Sequence, residues 1–153
     1  MNWNTSLSNY SVMNTPWGKD TFGMIVAAFR AEGLRVGAYV NPAQIQSDLY
    51  WAPDHLRALG PVGPNYDPIA NPGMWKKYTA YYRSLLAELA ANYSPDLFWI
   101  DINQQWDLEI DKVKPDILKA NPEAVMTLRD NWMDRSVTPF QVPLNTVIYP
   151  ARY

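Results

Sequence analysis

The chain has no cysteine and a single histidine, His55. The first absence excludes disulfides and thiolate metal sites, but leaves the compartment open, because secreted chains can also do without them. The second leaves too little for a zinc site or a Ser-His-Asp triad, and His55 lies beside Pro53-Asp54 in a loop-like stretch. An excess of one charge is missing too: 13 basic residues stand against 15 acidic ones, for a net charge of −2. Without blocks of like charge, nothing points to nucleic acid or a charged membrane surface. No apolar run reaches the length of a membrane span, and the first residues lack the basic-then-apolar layout of a signal peptide, so the sequence carries no address. A glycine-rich phosphate turn and a Walker lysine are also lacking, and no cofactor or metal is expected.

What is present is aromatic and rich in proline: seven Trp, ten Tyr and 13 Pro, within a chain of 153 residues that is 48% hydrophobic. That is enough apolar material for one core, so residues 1–153 read as a single segment. The most informative stretch is Leu97-Phe98-Trp99-Ile100-Asp101, an apolar run that stops on an acid. Buried parallel strands read as continuous apolar runs, and in α/β folds ligands gather where such strands end. Asp101 is therefore aimed at a site.

Phe22, Ile25, Val26 and Phe29 share a helical face, with Asp20 or Thr21 to cap the start and Gly33 the end. Leu34 to Val40 reads as a strand closed by Asn41-Pro42. A long proline-rich connector runs from Pro42 to Pro72, and loops of that length in a compact domain are functional or disordered. Trp75, Tyr78, Tyr82, Leu85, Leu86 and Leu89 predict a second helix. Leu108 to Ala120 predicts a third, provided that Pro115 sits in a first turn. Ala124 to Leu128 is a third strand, followed by Arg129-Asp130, and the tail to Tyr153 has no clear period.

Strands alternating with helices predict βαβ units and a parallel sheet, which brings Asn41, Asp101, Arg129 and Asp130 to one end. An open nucleotide-binding sheet would want a glycine-rich turn after its first strand, and Asn41-Pro42-Ala43-Gln44 offers none. A partial (β/α)8 TIM-like barrel, with about three parallel strands and their intervening helices, fits better. A whole barrel takes about 250 residues, so a fragment without N-terminal strands and C-terminal part is expected. The loop-like start, Asn2 to Tyr10, agrees.

Four stretches then carry a resemblance: Ser8-Asn9-Tyr10-Ser11-Val12; Thr15-Pro16-Trp17-Gly18-Lys19-Asp20; Glu32-Gly33-Leu34-Arg35-Val36-Gly37-Ala38-Tyr39; and Asn92-Tyr93-Ser94-Pro95 running into the Asp101 strand. In that order, from about Trp3 to Pro143, the chain resembles the α-L-fucosidases of glycoside hydrolase family 29. The resemblance implies a retaining glycosidase that hydrolyses terminal α-L-fucose from glycans or fucosides on a (β/α)8-like barrel. It places Asp101 at the nucleophile and matches Tyr39 and Arg129 to residues meeting the sugar; of Trp3, Trp17, Trp51, Trp106 and Trp132, each able to offer an apolar wall to the sugar or simply to pack, Trp3 is the one expected to do so. A retaining enzyme needs one ionised carboxylate and a second carboxyl about 5–5.5 Å away as acid and base.

Departures from the family pattern are as telling. The family's His-His-Asp-Gly-Phe stretch is absent, Ile102 stands where the family has Gly, and Phe140 replaces the Glu of a Thr-Pro-Glu-Gln stretch. No acid/base is assignable among Asp48, Asp54, Asp107, Glu109, Asp130 and Asp134. The isolated chain is therefore expected to be inactive, with barrel edges open to self-association. Two other readings stand beside this one: a sugar-binding remnant without catalysis, and a small α/β interaction protein.

Overall fold

The longest element, helix α2 (Pro72–Tyr93), shows how the sequence builds the fold. Pro72 occupies its first turn, where a missing N–H costs nothing, and the chain leaves it at Ser94, in the left-handed region, followed by Pro95. Tyr78, Tyr82, Leu85, Leu86 and Leu89 recur at helical spacing and are all buried. At about 1.5–3 kcal/mol for each large side chain taken out of water, this face, rather than helix propensity, holds the element in place.

The computed structural model describes residues 1–51, 66–100 and 108–128. Within them, β1 (Gly37–Val40), β2 (Leu97–Ile100) and β3 (Val125–Leu128) form a parallel sheet in the order β1-β2-β3, with Val40, Ile100 and Leu128 in register. Helix α1 (Thr21–Ala31) precedes β1, α2 joins β1 to β2, and α3 (Lys114–Ala120) joins β2 to β3. This is a partial, open piece of a (β/α)8 barrel, as its sequence predicts. Ala38, Val40, Phe98, Ile100 and Met126 share one core with the apolar face of α2 and with Ile117 of α3. No helix among the described residues is long and apolar enough to cross a membrane.

Three local readings are corrected. The strand drawn from Leu34 begins at Gly37, and Leu34 itself is exposed. The third helix splits into a single 3-10 turn, Ile110–Lys112, and α3, with Pro115 in the first turn of the latter. The apolar run of β2 is not buried on both faces: Phe98 and Ile100 are sealed, but Trp99 between them is 48% exposed. Alternation prevails because the helices α2 and α3 cover one face of the sheet.

Helix α1 is capped as expected: the Asp20 carboxylate accepts from the Gly23 amide at 2.9 Å, and Gly33, at φ +71°, turns the chain out. A Cβ at Gly23 would lie 2.6 Å from Asp20 Oδ2, so a side chain there would displace the cap. Of the predicted apolar face, Val26 is buried and Phe22 packs edge-on against Tyr93, with Ile25 and Phe29 remaining exposed.

Asp96 ties the amino ends of the strands together. Its carboxylate accepts from the Val36 amide at 2.8 Å and from the Asn121 side chain at 3.3 Å, and its backbone N–H and C=O bond Val36 and Val125. The opposite end, at Val40, Ile100 and Leu128, is where Asn41, Asp101 and Arg129 follow in sequence.

Candidate active site

The carboxyl ends of the strands lie in a row, with neighbours about 5 Å apart. In sequence, Asn41 follows β1, Asp101 follows β2 and Arg129 follows β3. Asp101 and Arg129 lie outside the described residues, as do His55, Ile102, Trp106, Trp132, Phe140 and the carboxylates of Asp54, Asp107, Asp130 and Asp134. The described part of the site is therefore the end of β1, its outgoing loop, and the sheet face bearing Tyr39 and Trp99.

Tyr39 and Trp99 are register partners on neighbouring strands, with ring centroids 6.2 Å apart and planes at 70°. Both are about half exposed, on the face that α2 does not cover. Sequence reasoning singles out Tyr39 and misses Trp99. The signal is nevertheless there, because residues two apart on a strand share a face, and Trp99 precedes Asp101 by two.

Trp3 is set apart from this pair. Its ring is 9% exposed within the core and its indole N–H donates to Glu88 Oε2 at 3.0 Å. Glu88 lies in the half of α2 that leads down to the amino ends of the strands, and it also accepts from the Ser6 amide and hydroxyl at 2.8 and 2.9 Å. Trp3 thus pins the N-terminal segment to α2, and a contact with sugar would require that surface to be uncovered.

The loop leaving β1 is anchored from below. The Tyr82 hydroxyl donates to the Val40 carbonyl at 3.3 Å, and the Tyr78 hydroxyl donates to the Pro42 carbonyl. Tyr66 donates to the Leu49 carbonyl at 3.1 Å, and the Trp51 indole to Ile45 at 2.8 Å. Burial raises the phenols of Tyr78 and Tyr82 above their ordinary range and pushes Tyr66 up to about 12, so all three stay protonated as donors.

Two of the described acids are held in ionised form. Glu109 receives Lys112 at 2.8 Å and pairs with Arg83. The hydrogen bond from Lys112, aided by Arg83, outweighs desolvation and keeps its carboxyl below the ordinary value. At Glu88 desolvation is the largest influence and raises the value, but hydrogen bonds from Thr5, Ser6 and Trp3 together outweigh it. A general acid needs the reverse, a carboxyl raised enough to carry a proton. No group of three His, Cys, Asp or Glu able to hold a metal ion occurs among the described residues.

Comparison with known proteins supplies the family. The family model described as Alpha-L-fucosidase matches residues 1–143. The chain belongs to that family. Among solved structures, α-L-fucosidase isoenzyme 1 from Paenibacillus thiaminolyticus superposes with a TM-score of 0.60 at 24% identity, over 82% of this chain and 30% of its own. The Thermotoga maritima α-fucosidase in complex with fucose gives 0.58 at 21%, over 88% of this chain and 30% of its own. A Bacteroides thetaiotaomicron α-L-fucosidase, trapped as a covalent intermediate with 2-fluoro-fucosyl fluoride, gives 0.56 at 20%, over 82% and 27%. At these identities the superpositions speak for the fold. The chain spans less than a third of the length of each of these proteins.

Proposed function

We propose that this chain is the nucleophile-bearing part of a retaining α-L-fucosidase, which removes terminal α-L-fucose from glycans and fucosides. One observation carries the reading: in a member of the fucosidase family, Asp101 is the next residue after the middle strand of a parallel sheet, beyond an exposed Tyr39–Trp99 pair. Ligands of such folds gather at the carboxyl ends of strands, and a rigid strand holds a nucleophile at a fixed attack distance.

In this reading the Asp101 carboxylate attacks the anomeric carbon as the glycosidic bond breaks, and the departing oxygen takes a proton from a second carboxyl group. Water then attacks the same carbon, giving its proton back to that group and releasing Asp101 and fucose. Tyr39 and Trp99 offer ring surface to the sugar's C–H face and methyl group, and the Tyr39 hydroxyl can meet a sugar hydroxyl. Arg129 hydrogen-bonds a sugar hydroxyl or steadies the carboxylate. Trp3 belongs to the same reading only if its buried ring is uncovered. The covalent intermediate trapped on the Bacteroides enzyme supports the retaining route.

No carboxyl among the described residues is assigned as the acid. Glu109 and Glu88 are held in the wrong protonation state for it, and we infer that the isolated chain does not turn over natural fucosides. Ile102 and Phe140, at positions where the family pattern has Gly and Glu, favour a second reading, a sugar-binding remnant.

Binding separates these from the interaction-protein alternative. Saturation-transfer NMR of free fucose with the chain is expected to show binding that weakens in Trp99→Ala, with no release of fucose from a fucosylated glycan. Absence of any fucose signal would contradict both sugar readings.

A further inference from the structure

The aromatic cluster under the loop that leaves β1 contains two buried tyrosines with opposite bonding. Tyr78 and Tyr50 lie near one another, ring centroids 5.7 Å apart, and each has about 1% exposure or less. The Tyr50 hydroxyl is buried with no hydrogen-bond partner among the described residues. The Tyr78 hydroxyl meets one loop twice: it donates to the Pro42 carbonyl and accepts the long arm, at 3.4 Å, of a shared bond from the Gln44 amide, whose shorter arm goes to the Pro42 carbonyl at 2.8 Å. One helical turn further on, Tyr82 takes the carbonyl of Val40, so two phenols bracket Asn41. The loop closes on itself above them, with the Ala43 amide on Asn41 Oδ1 at 2.7 Å and the Gln44 side-chain amide on the Asn41 carbonyl. Packing alone would need the rings of Tyr78 and Tyr82. It would not need hydroxyls aimed at backbone carbonyls at the end of the strand that carries Tyr39.

We propose that Tyr78 is a positioning residue, whose hydroxyl fixes the loop leaving β1 and, with Tyr82, the angle at which Tyr39 meets Trp99. The inference rests on the sugar-site reading in one respect, that this pair is the surface the sugar meets. A buried hydroxyl serving as donor and acceptor at once holds the backbone in one arrangement before ligand arrives, which removes an ordering cost from binding. Tyr78→Phe deletes the hydroxyl and leaves the ring against Tyr50 and Trp75. Tyr50→Phe makes the same chemical change in the same cluster and deletes no hydrogen bond among the described residues.

The test reads both variants in the full chain, by hydrogen exchange over residues 41–47 and by the fluorine resonance of Trp99 in fluorotryptophan-labelled protein, assigned with Trp99→Phe. Tyr78→Phe is expected to speed exchange in the loop by roughly tenfold, the loss of the hydrogen bond to the Pro42 carbonyl and of the long arm from Gln44, and to shift or broaden the Trp99 signal. Tyr50→Phe is expected to leave both as in the parent. Should Tyr78→Phe fail to fold, Tyr82→Phe takes its place in the same comparison. If the hydroxyl variant that folds leaves both readouts unmoved, or moves them no more than Tyr50→Phe does, the proposal is overturned. Failure of the sugar reading shows separately, as absence of fucose binding by the parent chain, which neither readout requires.

Discussion

Trp99 meets Tyr39 across the β1–β2 boundary in strict register, the two rings edge to face at 6.2 Å, while the residues on either side of Trp99 are sealed in the core. One strand therefore carries two kinds of side chain. Phe98 and Ile100 hold the sheet to α2, and Trp99 is held out to whatever occupies the other face.

That division predicts opposite responses to truncation. Phe98→Ala is expected to cost about 3–5 kcal/mol, because it empties a fully buried site. Trp99→Ala, from a half-exposed site, is expected to cost about 1.5 kcal/mol or less. Urea unfolding of the two variants measures both. Equal losses would show that the exposed face is structural.

Glu88 predicts an acid-sensitive N-terminal segment. Its carboxyl is held below the ordinary glutamate value of 4.5, since donors from Thr5, Ser6 and Trp3 outweigh its burial. A depressed folded value means that its contribution is complete above about pH 4.5–5 and fades as pH falls through the folded value. Amide exchange over residues 2–11 should accelerate in that acid range in the parent chain. Glu88→Gln, which cannot titrate, should show faster exchange at neutral pH and a weaker acid step. An acid step of the same size in Glu88→Gln would place the effect elsewhere.

Asp20 joins two elements through one carboxylate, accepting from the Gly23 amide at 2.9 Å and the Tyr93 hydroxyl at 2.6 Å. Asp20→Ala is expected to destabilise the chain by about 1–2 kcal/mol, the upper range for loss of a helix cap. Asp20→Asn should recover part of that loss. Both are read by thermal or urea unfolding, and no loss in Asp20→Ala would contradict the capping role.

Much of this fold is legible in the sequence, and the physical reasons differ by element. The face of α2 is plain because Tyr78, Tyr82, Leu85, Leu86 and Leu89 repeat at helical spacing. Asp20, Gly33 and Pro115 announce helix ends through local chemistry that tertiary context does not overturn. Trp99 escapes notice for the opposite reason: in an unbroken apolar run, nothing local says which face a helix will cover. The role of Glu88 is equally invisible, because its partners Trp3 and Ser6 come from more than 80 residues away. The same limit applies to the phenols on the β1 loop, where spacing indicates burial of Tyr78 but not the carbonyl its hydroxyl meets.

The nucleophile is tested most directly by covalent trapping with 2-fluoro-fucosyl fluoride. Fluoride leaves without a proton from a general acid, so the isolated chain can be labelled even where it cannot turn over a natural fucoside. Intact mass spectrometry should show one 2-fluoro-fucosyl group added as fluoride is lost, and peptide mapping should place it on Asp101. Asp101→Asn should take up none. Labelling at another carboxylate, or a parent chain that stays unlabelled under prolonged excess reagent, would contradict Asp101 as the nucleophile.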